Sequence, residues 1–513
     1  GVITKRIKWM PSSGLERISS MVQNRPDWCL SRQRLWGVPI IAFYCKSCET
    51  ELLDATVIGH IARLIEREGS DVWFVKREEE LLPKGTTCRK CGKKEFRKET
   101  DIIDVWFDSG VSYQAVLKKT KGLSYPCDLY LEGSDQHRGW FQSTLIASMG
   151  IDGVSAYKSV LTHGFVVDGE GRKMSKSVGN VVSPQEVIKD YGADILRLWV
   201  ASSDYSEDVR ISGQILTRLA DAYRKIRNTY RFILGNLYDF EADKNSVRLG
   251  DMLEIDRWAL SETYKLLNRV IKFYEEFSFH NVFHCVYEFC VIQMSSFYLD
   301  ILKDRLYISG ANSVERRSAQ TALFEILNVI TKVMAPILVF TTEEVYQNLY
   351  NKKTVSVHLS EWPQEEKLKK FYDKKLDENW AVLIKVREEV LKALELKREA
   401  NLIGSSLEAR VWLHSSDANL QGLLSRYYRV LTSIFIVSKV DIEDNELENG
   451  NKAANLPLMI KVDKAPGAKC QRCWNYSEFV GKDKSHPSLC ERCVNVAGGS
   501  PDEIKGKNKK SKN

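Results

Sequence analysis

A short segment rich in lysine and serine could neutralise phosphate groups. Glycines flank it at positions 171 and 179, and it consists of Lys173, Met174, Ser175, Lys176 and Ser177. Ammonium groups offset phosphate charge, and glycines let a backbone close over a polyphosphate. An ordinary solvated basic loop has the same composition, so the lysines alone leave both interpretations open.

Eight of the twelve cysteines form four C-x-x-C pairs. Each pair makes a knuckle that presents two thiolates, and two knuckles complete the tetrahedron of a structural zinc ion. Sixteen residues separate the last two pairs, which is zinc-ribbon spacing, and we predict Zn2+ there. The first two pairs enclose thirty-nine residues and predict a second zinc site, with free buried thiols as the alternative. The two quartets are Cys470, Cys473, Cys490 and Cys493, and Cys45, Cys48, Cys88 and Cys91.

Residues 100–165 have α/β character. Apolar segments over 102–108, 128–133 and 159–165 predict buried strands, and polar clusters follow them. Ligands of open parallel sheets bind beyond the carboxyl ends of the strands. The order of strand, polar cluster, helix, strand and lysine segment predicts half of a doubly wound nucleotide-binding domain. The alternatives are structural: acids in the first turn of a helix, core histidines, and tryptophans that only pack the sheet.

Beyond residue 205 the pattern becomes helical. Apolar residues between 214 and 237 recur at helical spacing and predict a buried stripe. A second stripe, Arg224, Arg227 and Arg231, could meet RNA phosphates or simply be solvated. Further helices are predicted over 254–308, 314–350 and 370–400, with a start or kink at Pro336. Alternation after residue 405 predicts a small α+β module, and Arg472 and Trp474 then stand beside the ribbon knuckles, where they could contact unpaired bases.

Length and charge set further bounds. A chain of 513 residues is long enough for roughly three domains. Its net charge of +7 excludes a histone-like polycation and is compatible with a polyanionic partner that contacts one face. We find no apolar run near membrane-spanning length and no signal-peptide core, so we predict a cytoplasmic protein without a membrane partner. The chain does not begin with Met, from which we expect an N-terminal portion to be missing.

The motifs together resemble one enzyme family over almost the whole chain. The strings WCLSRQRLWGVP (28–39), DVWFDSG (104–110), YLEGSDQHRGWF (130–141) and KMSKS (173–177) resemble those of isoleucyl-tRNA synthetases of class I. The leucyl enzymes depart from the second string, and the valyl enzymes depart from the second and third. The ribbon with Trp474 after its second cysteine resembles the C-terminal zinc module of bacterial-type isoleucyl enzymes.

This resemblance implies roles for individual residues. Lys176, assisted by Lys173, would be the catalytic contact to the ATP phosphates, within a loop that includes Met174, Ser175 and Ser177. Trp106 and Trp140 would provide apolar surfaces that contact the isoleucine side chain, and His163 would lie near the adenylate. The aminoacyl-adenylate would be held by Glu132, Gly133, Asp135 and Gln136. Mg2+ would accompany ATP, and the partners would be isoleucine, ATP and tRNA(Ile), with a monomer expected when the enzyme is complete.

The resemblance also implies a domain order. It comprises the end of an editing insert (1–23), the second half of a Rossmann-like catalytic domain (24–205) with an insert (41–98), a helical-bundle anticodon-binding domain (206–365), a junction module (366–464), the zinc ribbon (465–497) and a disordered basic tail (498–513). The family's H-I-G-H string is absent from the sequence. We therefore predict a C-terminal portion that lacks most of the editing domain and whose partner is the missing N-terminal half. The alternatives are a noncatalytic tRNA-binding fragment or paralogue, or a valyl- or leucyl-type synthetase.

Overall fold

The computed structural model describes residues 1, 6–349 and 356–498. The chain divides into two compact units, Gly1–Ser175 with Tyr205–Arg210, and Lys176–Asp204 with Ile211–Asn513. Apart from Gly498, the predicted basic tail lies outside the described residues. The domain boundaries given above remain predictions.

A three-stranded parallel sheet organises the first unit. Strand Ser159–His163 lies in the middle, between Lys8–Met10 and Tyr130–Gly133. Helices Ser13–Gln23 and Trp140–Ile151 contribute to the core of this sheet. The buried core residues are Ile7, Trp9, Ile18, Tyr130, Phe141, Leu145, Tyr157 and Val160. All three strands run in the same direction, so their carboxyl ends meet at one edge.

The prediction of a strand over residues 102–108 is wrong beyond its first residues. Only Ile102–Ile103 is a strand, and Val105–Gly110 forms a short helix. Asp104 caps this helix, because its carboxylate accepts a hydrogen bond from the backbone N–H of Trp106 at 3.1 Å. A capping carboxylate satisfies an amide that would otherwise lack a partner, and this local bond outweighs the strand preference of the apolar residues.

The segment 41–98 has a hydrophobic core of its own. Strand Phe43–Cys45 lies between Glu51–Leu52 and Phe96–Lys98, and both pairings are antiparallel. The longest helix of the segment is Ala55–Glu68, which the Asp54 carboxylate caps. The core consists of Phe43, Cys45, Leu52, Val57, Ile61, Leu64, Val72, Trp73, Leu81, Leu82, Cys88 and Phe96. The core includes two of the four cysteines and therefore holds the knuckles in place.

Helices make up most of the second unit. The predicted stripe is confirmed in helix Gly213–Asn236, where Ile226, Tyr230 and Ile233 are buried, whereas Tyr223 is half-buried. Pro336 lies in the break between two helices, as predicted. The longer helices are Pro184–Tyr191, Ala193–Ser202, Gly213–Asn236, Glu254–Glu275, Phe279–Ile308, Val314–Met334, Val339–Leu349 and Lys374–Glu399.

Helix Phe279–Ile308 differs from its neighbours because its middle part, Phe289–Tyr298, is π-helical. Among the described residues it is the one helix whose length and composition would allow it to cross a membrane. However, 56% of its apolar window is buried inside the fold, as in the core helix of a helical domain. The helix also carries Arg305, which forms a buried ion pair with Asp256 at 2.5 Å.

A four-stranded sheet follows the helices. Strand Ala409–Ser415 pairs in parallel with Lys439–Ile442 and antiparallel with Leu458–Lys464, and Asn451–Lys452 lies at the other edge. Helix Ala418–Phe435 connects the first two of these strands. The prediction of a small α+β module is confirmed. The ribbon then comprises the paired strands Ala468–Lys469 and Tyr476–Ser477 and the helix Glu491–Ala497.

Candidate functional site

Several residues predicted to bind the adenylate lie at the carboxyl edge of the parallel sheet. The strand register places Gly133 opposite His163. A Cβ atom added at Gly133 would lie 2.8 Å from Asp135 Oδ1 and 3.7 Å from His163 Cε1. The glycine therefore lets this carboxylate and this imidazole approach the strand end. Glu132 and Asp135 are both exposed, so their carboxylates are open to a ligand.

Gln136 has a structural role in this position. Its Oε1 accepts a hydrogen bond from the backbone N–H of Trp140 at 2.8 Å, and its Nε2 donates to Asp135 Oδ2 at 3.0 Å. The first bond caps the start of helix Trp140–Ile151. From the sequence, acidic side chains were the structural alternative for the start of a helix. In the structure the side-chain amide of Gln136 accepts this bond instead. Gln136 also fixes the orientation of the Asp135 carboxylate.

The two tryptophans occupy different environments. A Cβ atom at Gly139 would lie 2.7 Å from the Trp106 ring, so the indole covers the turn that carries Gln136. Trp106 is 43% exposed and offers an apolar surface beside the carboxylates. Trp140 stacks on Tyr130 with ring centroids 4.2 Å apart, and its Nε1 donates to Ser109 O at 3.0 Å. Its packing on the sheet is the structural alternative named above.

Asp104 is the central acceptor of a polar network that the sequence reasoning missed. Its carboxylate accepts hydrogen bonds from Trp28 Nε1 at 2.9 Å and from Arg32 at 2.6 Å, in addition to the helix cap. Burial alone would raise the pKa of Asp104, but the bonds from Trp28 and from the Trp106 amide, with the charge of Arg32, hold this pKa below its usual value. The network joins the first two motif strings, and its only signal in the sequence is an acid inside an apolar segment.

A tight hairpin leads into the lysine segment. Asp168 is buried and accepts hydrogen bonds from the backbone amides of Glu170 at 3.0 Å and Arg172 at 2.8 Å. Gly171 has φ +82°, a left-handed conformation that glycine adopts without strain. Lys173 then lies opposite Val167 as the hairpin returns. The carboxylate of Asp168 thus fixes the point from which the segment starts.

The lysine segment spans the boundary of the two units. Lys173, Met174 and Ser175 belong to the first unit, where Lys173 is exposed and the other two are half-buried. Lys176 and Ser177 belong to the second unit and are exposed. Both ammonium groups are thus accessible to an anionic ligand.

Both cysteine quartets have the geometry of a metal site. In each quartet the four Sγ atoms lie within 4.8 Å of one another. Observed separations are 3.5 Å for Cys45 and Cys91, 3.6 Å for Cys48 and Cys88, and 3.5 Å for Cys473 and Cys490. Zinc–sulfur bonds of about 2.3 Å in a tetrahedron place sulfurs roughly 3.8 Å apart, so both donor sets fit Zn2+. No further cluster of this kind occurs among the described residues.

Hydrogen bonds favour a thiolate in each quartet. The Thr50 hydroxyl and the Thr50 amide lower the pKa of Cys48 to about 6. Burial disfavours the thiolate of Cys470, yet backbone amides of the knuckles, from Cys473 and Cys490 among others, lower its pKa to about 6. Thiolates are the metal-binding form of cysteine, and one thiol of each quartet favours that form.

The candidate RNA-contacting side chains all lie in the second unit. Arg224, Arg227 and Arg231 are exposed on one helix, and Arg224 pairs with Asp221. Beside the ribbon knuckle, Arg472 is half-buried and Trp474 is 60% exposed. These two residues and the arginine stripe therefore form separate surface features.

Three family models match successive parts of the chain, and together they identify the family of class I aminoacyl-tRNA synthetases. Residues 2–212 match the family model described as tRNA synthetases class I (I, L, M and V). Residues 256–413 match the anticodon-binding domain of tRNA ligase, and residues 467–496 match the zinc finger found in FPG and IleRS. The predicted fold class, with a synthetase domain, a helical anticodon-binding domain and a four-cysteine ribbon, is confirmed.

The particular family follows from the relatives. An isoleucine–tRNA ligase of Syntrophotalea carbinolica is 55% identical over 491 residues, which cover 96% of this chain and 53% of that protein. One from Kosmotoga olearia is 50% identical, with 96% and 53% covered. The chain belongs to the isoleucine–tRNA ligase family, as the motifs predicted, and spans about half the length of the curated relatives it matches. Among solved structures, a LeuRS of Agrobacterium radiobacter K84 in a ternary complex is 16% identical, with a TM-score of 0.49 over 88% of this chain and 53% of that one.

Proposed function

We propose that the chain supplies the lysine loop, part of the adenylate pocket and the tRNA-binding domains of an isoleucine–tRNA ligase. The reaction is ATP-dependent activation of isoleucine to its adenylate, followed by transfer to tRNA(Ile). The observation that carries the proposal is the juxtaposition of Gly133, Asp135 and His163 at the carboxyl edge of the sheet. Ligands of open α/β sheets bind at this edge.

Each residue of this proposed pocket would contact a different part of the substrate or position a neighbouring side chain. The carboxylates of Glu132 and Asp135 suit the substrate ammonium and the ribose hydroxyls, because charged acceptors make strong hydrogen bonds to such donors. Gln136 positions Asp135, and the exposed ring of Trp106 provides an apolar wall for the isoleucine side chain. His163 would border the adenylate, and Trp140, the second proposed apolar residue, stacks on Tyr130.

The lysine loop would serve the phosphates. In the activation step the isoleucine carboxylate attacks the α-phosphorus of ATP, and the bond to the leaving pyrophosphate breaks. Negative charge grows on pyrophosphate, and positioned cations stabilise this charge without transferring a proton. Lys176 is the proposed principal cation and Lys173 its assistant. Glycine at position 171 and the small residues Ser175 and Ser177 allow the loop, with Met174, to adapt to the phosphates.

Metal ions have two separate roles in the proposal. Mg2+ would accompany ATP and would be held mainly by its phosphates, as is usual for this ion. Zn2+ would occupy the ribbon quartet and also the quartet of the insert, where it would stabilise the local fold. Neither zinc ion takes part in the chemistry.

Binding of tRNA is proposed for the second unit. Arg224, Arg227 and Arg231 would neutralise phosphates, and Arg472 and Trp474 would contact bases or backbone near the ribbon. The accepting hydroxyl of the terminal adenosine attacks the activated carbonyl, and AMP leaves. We place the enzyme in the cytoplasm and expect a monomer when complete.

Isoleucine-dependent exchange of pyrophosphate into ATP tests the activation step. It should be measured with this chain alone and with a supplied N-terminal half from a relative, since the H-I-G-H string is absent here. We expect exchange only with the added half. Absence of exchange in both cases would contradict the enzyme proposal and favour the noncatalytic tRNA-binding alternative.

A further inference from the structure

Large apolar side chains are exposed together in the first unit. Leu35 is 102% exposed and Trp36 is 88% exposed, the two highest values among the large apolar residues that the structure describes. Leu30, Val38 and Val105 are exposed as well. Natural domains seldom leave neighbouring apolar side chains in water unless the surface contacts another molecule.

Backbone pairing explains why these residues lie near one another. Arg32 and Pro39 both pair with Ile102 in the antiparallel sense. A strand residue has one neighbour on each side, so residues 33–38 cross from one side of Ile102 to the other. This crossover loop, residues 33–38, carries the two most exposed side chains. The other three are no more than three residues from a paired position.

Two contacts fix the conformation of the crossover loop. Gln33 Nε2 donates a hydrogen bond to Asp101 Oδ2 at 2.7 Å. A Cβ atom at Gly37 would lie 2.3 Å from Ile102 Cδ1, so the loop lies directly on this buried side chain. The loop is therefore held with its apolar side chains in solvent, although their burial would be favourable.

The composition of this surface favours a protein partner over RNA. Four of the five exposed residues are aliphatic, and the fifth is a tryptophan. Contacts to RNA rely on cations and stacked rings, whereas the centres of protein interfaces are apolar and enriched in aromatic residues. Arg34, which is exposed in the same loop, suits the polar rim of such an interface.

The comparisons indicate which protein the partner is. The synthetase family model covers residues 2–212, which include this surface, yet the matched relatives are about twice as long as the part that this chain spans. No described strand pairs with the outer edge of Lys8–Met10, and natural sheets usually cover or blunt such an edge. Both features indicate that a complete ligase contributes further residues that contact the first unit.

We propose that the crossover loop is the anchor by which the N-terminal half of an isoleucine–tRNA ligase docks on this chain. Leu35 and Trp36 become buried against that half, and Leu30, Val38 and Val105 complete the contact. The inference rests on one element of the proposed function, that the chain acts as one part of a longer ligase. It gives a role to the first motif string, WCLSRQRLWGVP, whose exposed apolar residues have no part in the proposed pocket.

The test uses the full chain, coexpressed with the affinity-tagged N-terminal half of the Syntrophotalea carbinolica relative. We expect the parent chain to copurify with that half. Trp36→Ala should weaken the association about 30-fold and Leu35→Ala about tenfold, since truncation of a buried anchor costs roughly this much. Interferometry on the purified components measures the dissociation constants. The melting temperature of the chain alone should stay the same, because both side chains are in solvent there.

Two matched variants isolate the crossover loop. Leu53→Ala removes a leucine of the insert that is 65% exposed, and Trp474→Ala removes an exposed indole of the second unit. Both should associate with the N-terminal half as the parent chain does. Equal losses in these variants and in Leu35→Ala and Trp36→Ala would refute the anchor.

The other possible occupants have their own outcomes. Self-association of the chain in sedimentation, abolished by Trp36→Ala, would assign the surface to a second copy and overturn the proposal. Weaker binding of tRNA by Trp36→Ala, with the association of the two halves unchanged, would assign the surface to RNA instead.

The outcomes also separate this inference from the proposed function. A parent chain that does not associate with the N-terminal half would refute the docking surface, even if the mixture exchanged pyrophosphate. Association that depends on Trp36 without pyrophosphate exchange would uphold the surface and remove only the catalytic part of the proposed function.

Discussion

At the scale of single residues, Lys176 is the most direct test of the phosphate loop. Lys176→Ala removes one cation from an exposed position, so the fold should keep its stability. If Lys176 stabilises the leaving pyrophosphate, exchange should fall about 100-fold, the usual effect of losing one charge-stabilising group. The measurement requires an active assembly with the supplied N-terminal half. Lys189→Ala, at an exposed lysine of helix Pro184–Tyr191, is the matched control. Equal loss in both variants would contradict the role of Lys176.

His137 makes a prediction about pH. Its ring is buried beside Trp9 and Phe141, and burial, with the charge of Arg17, lowers its pKa below the usual value of about 6.5. Above that value the histidine is neutral in both folded and unfolded chains. As the pH falls below it, the unfolded chain binds the proton first, and stability is lost.

Replacement of His137 should therefore flatten the pH dependence of unfolding below about pH 6.5. His137→Phe and His137→Gln should both show this change in urea titrations at several pH values, whatever their absolute stabilities. A slope equal to that of the parent chain would show that His137 does not titrate with unfolding.

At the scale of elements, one glycine controls how a motif helix meets the sheet layer. A Cβ atom at Gly110 would lie 2.8 Å from the backbone C and O atoms of Ser143, in helix Trp140–Ile151. Backbone atoms cannot move as a side-chain end does, so Gly110→Ala should destabilise the first unit by about 1–3 kcal/mol. Gly150→Ala, in the same helix with no atom within 4 Å of the new Cβ, should be neutral or slightly stabilising. Denaturant unfolding measures both, and equal stabilities would contradict the close contact.

The elements also show how far the sequence alone can lead. Periodicity predicted helix Gly213–Asn236 well, because an apolar stripe of that length has few alternative structures. The strand predicted over residues 102–108 was wrong for most of its length. Five apolar residues in this segment favour a strand, but the carboxylate of Asp104 alone is enough to start a helix.

Parts of the candidate site were predictable and others were not. The strand ends at Gly133 and His163 follow from apolar segments ending in polar residues. The capping bond of Gln136 and the contact of Trp106 with the Gly139 turn do not, because both depend on three-dimensional proximity that no spacing encodes.

At the scale of the whole molecule, the two quartets predict the metal content. The intact chain should hold about two zinc ions. Cys48→Ser and Cys473→Ser should each lower the content by about one ion, since a tetrahedral site with three thiolates loses affinity. Chelation should also lower the unfolding temperature, because zinc binding contributes to folding. Atomic absorption on the purified chain measures the content, and a parent chain with one zinc ion would refute the site in the insert.

The π-helical stretch Phe289–Tyr298 has a consequence for the second unit. An α-helix rotates about 100° per residue, and a π-helix rotates less, so this stretch sets the angular phase of every turn after it. At the observed phase, Arg305 reaches Asp256 inside the bundle, and Asp304 reaches Arg492 of the ribbon at 2.5 Å. Insertion or deletion of one residue in the stretch would turn both side chains away together. The rotation of one helix therefore fixes the buried charge of the bundle and the attachment of the ribbon at the same time.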